Sequence, residues 1–256
     1  MKISVVIPAF NEEKFLFACL KSVVAQSEKP LEIIVVNNNS TDKTLQIAKS
    51  FPQVTIMSEN KQGITPTRNL GFNAAQGDII ARTDADTKVP KSWLKKIKKR
   101  FESDPELIAL SGPARFEGIP KAVQPNNWMT VIGFNATFRQ AVHHDVLFGP
   151  NMSIRKSIWE KAKLEVCMDD KKVHEDMDLA LHIAKYGKIL FDEKLVVVSS
   201  PRRWKKLLPY VEYPYRFLRT VQHHNLMLSK SRNFARNVFP RTKRLIKRLA
   251  SAAAEM

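Results

Sequence analysis

The sequence predicts an α/β protein in which a mostly parallel central sheet is flanked by helices. Short apolar runs alternate with amphipathic segments through roughly the first 110 residues, which is typical of consecutive β-α-β units. Polar clusters at residues 8–12, 37–42 and 84–86 each follow one of these apolar runs directly. The carboxyl ends of parallel strands share one edge of a sheet, and ligands bind there. We therefore expect the three clusters to converge on one ligand site.

Strands and helices alternate in the first half of the chain. Strands are predicted at the apolar runs 3–7, 31–36, 54–57 and a run that ends at Thr83. Helices are predicted where apolar residues recur at helical spacing, around 16–24 and 45–48, and at 66–76, where Gly77 is predicted to cap the carboxyl end of the helix. Asn11 is predicted to cap the first helix, with Glu12 and Glu13 in its first turn.

A cationic helix is predicted at 90–103. Its apolar residues Trp93, Leu94, Ile97 and Phe101 are expected to point inward. Its lysines are expected to face solvent, and a membrane or a phosphate is the alternative partner. The later predicted elements are a strand at 107–112, an amphipathic helix within 115–146, a turn at 148–151 leading into a strand, helices from Lys156 and after Glu175, and one or two strands within 189–199. We expect segment 115–146 to contact a second substrate, the acceptor of a reaction, because of its position in the chain.

Positive charge is concentrated at the end of the chain. The net charge is +17; residues 201–256 hold 14 Lys and Arg against 2 Asp and Glu, whereas residues 1–200 hold 28 against 23. We therefore divide the chain into a domain at 1–200 and a basic, amphipathic, helical tail at 201–256. Interleaved aromatic and basic residues favour an anionic membrane surface as the tail's partner. A helix packed on the body is the main alternative, and no nucleic acid is expected because no module that binds one is recognisable.

The cysteines predict a protein of a reducing compartment, and the hydropathy predicts one without a membrane-spanning helix. Cys19 and Cys167 lie far apart without metal-binding spacing, and Cys19 fits an apolar core pattern. The first residues show no signal-peptide pattern, and no apolar run approaches the ~20 residues that a spanning helix needs. We expect a cytoplasmic protein that is peripheral on the inner face of the cell membrane.

The carboxylates Asp84 and Asp86 follow the fourth apolar run. Residues two apart on a strand face the same side, so both acids are expected to share one space. Their repulsion would raise the pKa of one of them unless a cation lies between them. Mg²⁺ prefers carboxylate and phosphate oxygens, so the pair predicts a metal site for a phosphorylated ligand.

Three more acids, Glu175, Asp176 and Asp178, fall within four residues at a predicted helix start. The helix dipole favours acids at this position, and composition alone favours this explanation over a catalytic role. Arg68 likewise allows two interpretations, since it could pair with a phosphate or anchor its own loop.

Six motifs in one order resemble those of family 2 glycosyltransferases, which have the GT-A fold. The motifs are residues 4–13 (SVVIPAFNEE), 33–44 (IIVVNNNSTDKT), 60–71 (NKQGITPTRNLG), 84–86 (DAD), 149–155 (GPNMSIR) and 174–179 (HEDMDL). The first resembles the opening of the family's sequences, the second its second nucleotide-binding segment, and the third its next motif. The fourth resembles the DxD signature, and the last two resemble the acceptor-side turn and the ED motif. The resemblance covers residues 3–200, and six motifs in register are far more specific than a single DxD.

The resemblance implies an inverting sugar transfer from a nucleotide sugar, assisted by Mg²⁺ or Mn²⁺. Residues 1–110 would form the donor-binding half, and residues 111–200 the acceptor and catalytic half. Carried over motif by motif, the donor would contact Pro8, Ala9, Phe10, Glu12, Asn37, Arg68, Asp84 and Asp86. The metal would be bound by Asp86 and shared by Asp84, and Asp176, beside Glu175, would be the general base.

Asn37 departs from the family pattern, which usually has Asp at this position. An amide oxygen still accepts a hydrogen bond, but it lacks the charge assistance of a carboxylate. A UDP-sugar is the default expectation for the donor, and a GDP-sugar is the alternative.

The resulting hypothesis is a metal-dependent hexosyltransferase that acts on a lipid-linked or glycan acceptor in cell-envelope glycan or glycolipid synthesis. Arg202, Arg203 and Trp204, at the root of the tail, are predicted to contact a lipid phosphate. A nucleotidyltransferase is the alternative enzyme, but residues 8–11 do not form the Gly-rich phosphate loop that it would need. The alternative outside enzymes is a non-catalytic module that binds sugar nucleotides or membranes, and the intact Asp86 and Asp176 argue against it.

Overall fold

The computed structural model of the protein describes residues 1–119, 135, 139, 142–170, 172–203, 215–217, 219–220 and 222–224, without the side chain of Arg203. The helix predicted within 115–146 and the tail predicted at 201–256 lie mostly outside these residues.

A seven-stranded, mostly parallel sheet forms the centre of the molecule, as predicted. In spatial order its strands are β3 (Val54–Ser58), β2 (Glu32–Asn37), β1 (Ile3–Ala9), β4 (Ile79–Arg82), β8 (Met152–Arg155), β6 (Leu107–Ser111) and β9 (Lys188–Phe191). Strand β8 is antiparallel to both of its neighbours, and the other four pairs are parallel. The carboxyl ends of β1, β2 and β4 consequently lie at one edge of the sheet.

Six described helices flank this sheet, close to the predicted positions. They are α1 (Leu16–Val24), α2 (Thr44–Lys49), α3 (Ile64–Ala74), α4 (Trp93–Ser103), α5 (Lys156–Ala162) and α6 (Glu175–Ile183). Single 3₁₀ turns occupy Gly149–Asn151, Ala184–Tyr186 and Pro201–Arg203. Among the described residues, no helix is both long enough and apolar enough to cross a membrane.

The core lies on both faces of the sheet, because successive strand residues point to opposite sides. On β1, Val5 and Ile7 belong to the apolar cluster that packs on α1 and α4, whereas Val6 belongs to the cluster that packs on α3, α5 and α6. The four predicted core residues of α4 are fully buried, and Cys19 is 1% exposed, so both predictions are confirmed.

A second, three-stranded sheet brings the end of the domain back to the acidic segment at 84–86. It consists of β5 (Thr87–Lys88), β10 (Val197–Ser199) and β7 (Ala114–Phe116), with β10 in the middle and antiparallel to β5. The hydroxyls of Thr87 and Ser199 lie 2.5 Å apart, and the N–H of Ser200 donates to the carbonyl of Asp86 at 3.1 Å. The chain after β10 therefore starts beside the predicted metal ligands.

The predicted caps at Asn11 and Gly77 are wrong. Helix α1 begins only at Leu16, while Asn11 has a φ of 53° and accepts the N–H of Thr41 on its Oδ1 at 2.9 Å. Gly77 lies past the end of α3 and instead donates its N–H to Ser4 Oγ at 2.8 Å. A Cβ at residue 77 would lie 2.7 Å from the backbone nitrogen of Ser4, so close packing accounts for this glycine. Both residues form hydrogen bonds that connect the ends of neighbouring strands, and neither caps a helix.

Candidate active site

The polar loops after β1 and β2 are joined by direct hydrogen bonds. The N–H of Asn38 donates to the carbonyl of Ala9 at 2.9 Å, and the N–H of Glu12 donates to Thr44 Oγ1 at 2.7 Å. The backbone N–H of Asn11 also reaches Ser40 Oγ at 3.0 Å. The predicted convergence of the first two clusters is confirmed.

The chain at the end of β1 exposes one aromatic ring. Pro8 and Ala9 are buried at the end of β1, whereas Phe10 is 48% exposed and can contact a ligand. Asn37 is buried, and its Oδ1 accepts the N–H of Ser40 at 3.3 Å, so its amide already supports the loop.

Asn38, predicted only as a member of the polar cluster at 37–42, holds the next motif in place. Its amide nitrogen donates to the carbonyls of Glu59 and Lys61, at 2.8 and 2.9 Å. Its Oδ1 accepts the N–H of Gly63 at 2.9 Å. A buried asparagine after a strand must satisfy its amide locally, and this requirement was the available signal.

Asp84 and Asp86 lie in a turn rather than on a strand. Strand β4 ends at Arg82, and the N–H of Thr87 donates to the carbonyl of Asp84 at 3.0 Å to close the turn. Strand alternation is therefore the wrong reason for expecting the two acids together; a turn between β4 and β5 presents them. Asp84 pairs with Arg82 at 3.1 Å, and Asp86 pairs with Arg202 at 3.1 Å.

Glu12 is a third carboxylate of this group. The guanidinium of Arg202 contacts Glu12 Oε1 as well as Asp86, and it lies over the ring of Phe15, 5.1 Å from its centroid. Glu12 Oε2 is buried and has no hydrogen-bond partner among the described residues. Burial raises the pKa of Glu12 to about 7; Arg202 opposes the shift, and the charges of Asp86 and Asp84 add to it. The three carboxylates Glu12, Asp84 and Asp86 therefore carry more negative charge than Arg202 neutralises.

Arg82 connects the acidic turn to the acids of α6. It is buried at the end of β4, and it contacts Asp84, Glu175 and Asp176, the last at 3.3 Å between Nη1 and Oδ1. Sequence reasoning gave it no role, although an arginine that ends a buried strand requires buried acidic partners. Arg68 is also fully buried and pairs with Glu175 at 2.8 Å. This pairing corresponds to anchoring, the second of the two roles predicted for Arg68.

Glu175 and Asp176 start α6, and both are more than nine-tenths buried. Burial alone would raise the pKa of Glu175, but Arg82 and Arg68 overcome this and hold it well below its ordinary value. Burial, and then the charge of Glu175, raise the pKa of Asp176 well above its ordinary value. The N–H of Gly149 donates to Asp176 Oδ2 at 2.8 Å and fixes the carboxyl group. Asp176 is consequently an oriented carboxylate with enhanced proton affinity.

The described residues of the site include five carboxylates and three guanidinium groups. The acids are Glu12, Asp84, Asp86, Glu175 and Asp176, and the guanidinium groups belong to Arg68, Arg82 and Arg202. If all are ionised, the set carries two excess negative charges, which a divalent cation would balance. The buried oxygen of Glu12 that lacks a partner in the described chain is a suitable hard donor, so these residues fit such a cation.

The predicted lipid-phosphate residues are only partly described. Arg202 points into the acidic group, with its side chain 35% exposed. The side chain of Arg203 and all of Trp204 lie outside the described residues.

A mostly parallel sheet with an acidic turn after β4 and a buried acidic pair at the start of α6 defines a GT-A type of fold, as predicted. Residues 4–162 match the family model described as Glycosyl transferase family 2, and the chain belongs to this family. The predicted family is thereby confirmed.

Two curated relatives illustrate the match. YdaM of Bacillus subtilis (strain 168), named a probable glycosyltransferase, is 29% identical over 225 residues, which are 80% of this chain and 52% of YdaM. The glycosyltransferase GlyA of Streptococcus pneumoniae serotype 4 is 31% identical over 104 residues, which are 39% of this chain and 15% of GlyA. The chain thus spans about half or less of the length of these two relatives.

Solved structures share the fold at low sequence identity. Residues 1–349 of S. aureus TarS superpose with a TM-score of 0.58 at 18% identity, over 82% of this chain and 64% of that one. The mannosyltransferase PcManGT from Pyrobaculum calidifontis superposes with a TM-score of 0.62 at 20% identity, over 84% of this chain and 62% of that one. At these identities the superpositions show a shared fold.

Proposed function

We propose that this protein transfers a sugar, with inversion, from a nucleoside-diphosphate sugar to an acceptor hydroxyl or lipid phosphate. The observation that carries the proposal is the bridge made by Arg82. Its Nη2 lies 3.1 Å from Asp84 Oδ1, and its Nη1 lies 3.3 Å from Asp176 Oδ1. One guanidinium group therefore separates the turn suited to the leaving diphosphate from the carboxyl group suited to the acceptor.

Glu12, Asp84 and Asp86 would hold Mg²⁺ or Mn²⁺ together with the diphosphate of the donor. Such a cation, when bound, neutralises the charge that develops on the departing nucleoside diphosphate. PcManGT was solved in complex with GDP-Man and Mn²⁺, and TarS 1–349 in complex with UDP-GlcNAc. Both complexes support a nucleotide-sugar donor for this protein.

With a hydroxyl acceptor, Asp176 would remove the proton from the acceptor oxygen. That oxygen then bonds to the anomeric carbon as the bond from this carbon to the donor phosphate breaks, so the configuration inverts. The raised pKa of Asp176 makes it a stronger base once ionised. Arg68 and Arg82 hold Glu175 ionised beside it, and the N–H of Gly149 aims its carboxyl group. Pro8, Ala9, Phe10 and Asn37 would bind the nucleoside.

The basic tail at 201–256 supports an acceptor presented at an anionic membrane surface, in cell-envelope glycan or glycolipid synthesis. The protein would then be peripheral on the cytoplasmic face of the membrane. In a flotation assay with anionic vesicles, the full chain should float, and a chain ending at Pro201 should float less. Equal recovery of the two proteins would contradict the membrane role.

The experiment that tests the reaction class is a product assay with UDP- and GDP-sugars and Mn²⁺. A glycosyltransferase releases nucleoside diphosphate, and excess chelator should abolish the release. Pyrophosphate as the product would instead establish a nucleotidyltransferase, and binding without turnover of any donor would establish a non-catalytic module.

A further inference from the structure

A cluster of one carboxylate and two imidazoles lies outside the site described above. Asp178 and His182 come from α6, and His224 comes from the chain beyond the domain. Asp178 Oδ1 lies 2.9 Å from Nε2 of His224 and 3.5 Å from Nε2 of His182. The three candidate ligand atoms all lie within 4.8 Å of one another.

This spacing is close to that of a tetrahedral metal site. Zinc binds imidazole nitrogen and carboxylate oxygen at about 2.0–2.2 Å, which places neighbouring ligand atoms roughly 3.3 Å apart in a tetrahedron. The observed separations of 2.9 and 3.5 Å from Asp178 Oδ1 lie on either side of that value. Small side-chain rotations would therefore open the space that an ion needs.

The surrounding groups orient the ligands as in known metal sites. Glu165 Oε2 lies 3.5 Å from His182 Nδ1, so a carboxylate backs the ring nitrogen opposite the candidate ligand atom. Outer carboxylates of this kind set the imidazole tautomer and increase its basicity. The N–H of Cys167 donates to Asp178 Oδ2 at 2.8 Å, which leaves Oδ1 facing the two rings.

The cluster also has an entry path. Asp178 is nearly inaccessible, with a side chain 1% exposed, but the side chains of His182 and His224 are 19% and 15% exposed. Solvent can therefore supply an ion and a fourth ligand from the histidine side.

We propose that Asp178, His182 and His224 form a second metal site, for a zinc-type divalent cation with water as the fourth ligand. Mixed nitrogen and oxygen donors suit zinc, whereas the all-carboxylate group of Glu12, Asp84 and Asp86 suits Mg²⁺ or Mn²⁺, so the two sites select different ions. Each imidazole would bind through an unprotonated Nε2, so a neutral ring would carry its proton on Nδ1 and a charged ring would release one proton on binding.

An ion at this site would link the chain around residue 224 to α6, the helix that carries Asp176. Asp178 is two residues from Asp176, and the N–H of His174, which precedes α6, already donates to Thr220 Oγ1 at 2.6 Å. His224 Nε2 already lies within hydrogen-bond distance of Asp178 Oδ1, at 2.9 Å, and an ion would replace this contact with bonds to the metal. The inference rests on these contacts and does not require the proposed sugar transfer.

Zinc binding to the full-length chain, stripped with chelator and then dialysed against Zn²⁺ alone, tests the proposal. Wild type and Asp86→Asn should each retain one tightly bound Zn²⁺ per chain. His182→Gln and His224→Gln should lose it, and His223→Gln, which changes a neighbouring exposed histidine, should keep it. Equal retention by the double variant His182→Gln/His224→Gln, loss in Asp86→Asn, or no retention by wild type would each overturn the proposal.

Two further measurements guard against a folding defect in the ligand variants. Saturating Zn²⁺ should raise the Tm of wild type by about 5 °C or more, and it should leave the Tm of His224→Gln unchanged. Glu165→Gln keeps all three ligands and should weaken zinc binding by about 10- to 100-fold. Unaltered affinity in Glu165→Gln together with a zinc-induced Tm shift in His224→Gln would overturn the assignment.

Discussion

Arg202 Nε lies 3.1 Å from Asp86 Oδ2, although 116 residues separate the two in the chain. The same guanidinium contacts Glu12, so a positive charge from the end of the domain already lies between two of the proposed metal ligands. Arg202 therefore competes with any cation that binds there.

Replacing Arg202 with glutamine should tighten Mn²⁺ binding in the absence of nucleotide, because the competing charge is removed. Arg202 is 35% exposed, and solvent screening limits the gain to about two- to fivefold. Isothermal titration of Mn²⁺ measures the effect, and Arg202→Lys, which keeps the charge, is the matched control. Weaker Mn²⁺ binding in Arg202→Gln would mean that the guanidinium organises the acids rather than competing for them.

Asn37→Asp should change the affinity for the nucleotide sugar, because it adds a negative charge at the buried end of β2 where the nucleoside is proposed to bind. Fluorescence or calorimetric titration with UDP- and GDP-sugars measures the change. If the variant binds every donor as the wild type does, Asn37 does not contact the nucleotide.

Glu175→Gln should shift the acidic limb of the pH profile of kcat/KM to lower pH. Activity requires ionised Asp176, and its raised pKa means that activity is lost on acidification at a higher pH than for an ordinary aspartate. The charge of Glu175 contributes to this rise, as does that of Asp84, whereas Arg82 opposes it. Removing the Glu175 charge therefore lowers the pKa of Asp176, and an unmoved or alkaline-shifted limb would contradict this assignment.

Gly149→Ala should lower kcat while the protein still binds its donor. The added Cβ would lie 2.8 Å from Arg82 Nη2 and 3.0 Å from Asp176 Oδ2, so both groups must move. A displacement of about 1 Å at a reacting group costs roughly 100-fold in rate. Steady-state kinetics, with donor affinity and Tm as controls, measure the effect. A kcat equal to that of wild type would show that the position of Asp176 is not critical.

Much of the fold and part of the site follow from local sequence patterns. Apolar runs specify the strands, and the polar residues after β1, β2 and β4 must meet because parallel strands share an edge. Contacts between distant residues leave no such signature. The Arg202–Glu12 pair spans 190 residues, and the Arg82–Asp176 pair spans 94, so neither can be deduced from spacing. The geometry of Asp84 and Asp86 was also inaccessible, because a strand and a turn both place two acids near each other.

Release of nucleoside diphosphate from a panel of nucleotide sugars with Mn²⁺, compared between wild type and Asp176→Asn, tests the proposed transfer most directly. Wild type should turn over at least one donor. Asp176→Asn should bind that donor normally and turn it over about 10²- to 10⁴-fold more slowly, because the general base is lost. Equal turnover by the two proteins, or no turnover of any donor by wild type, would contradict the proposed sugar transfer.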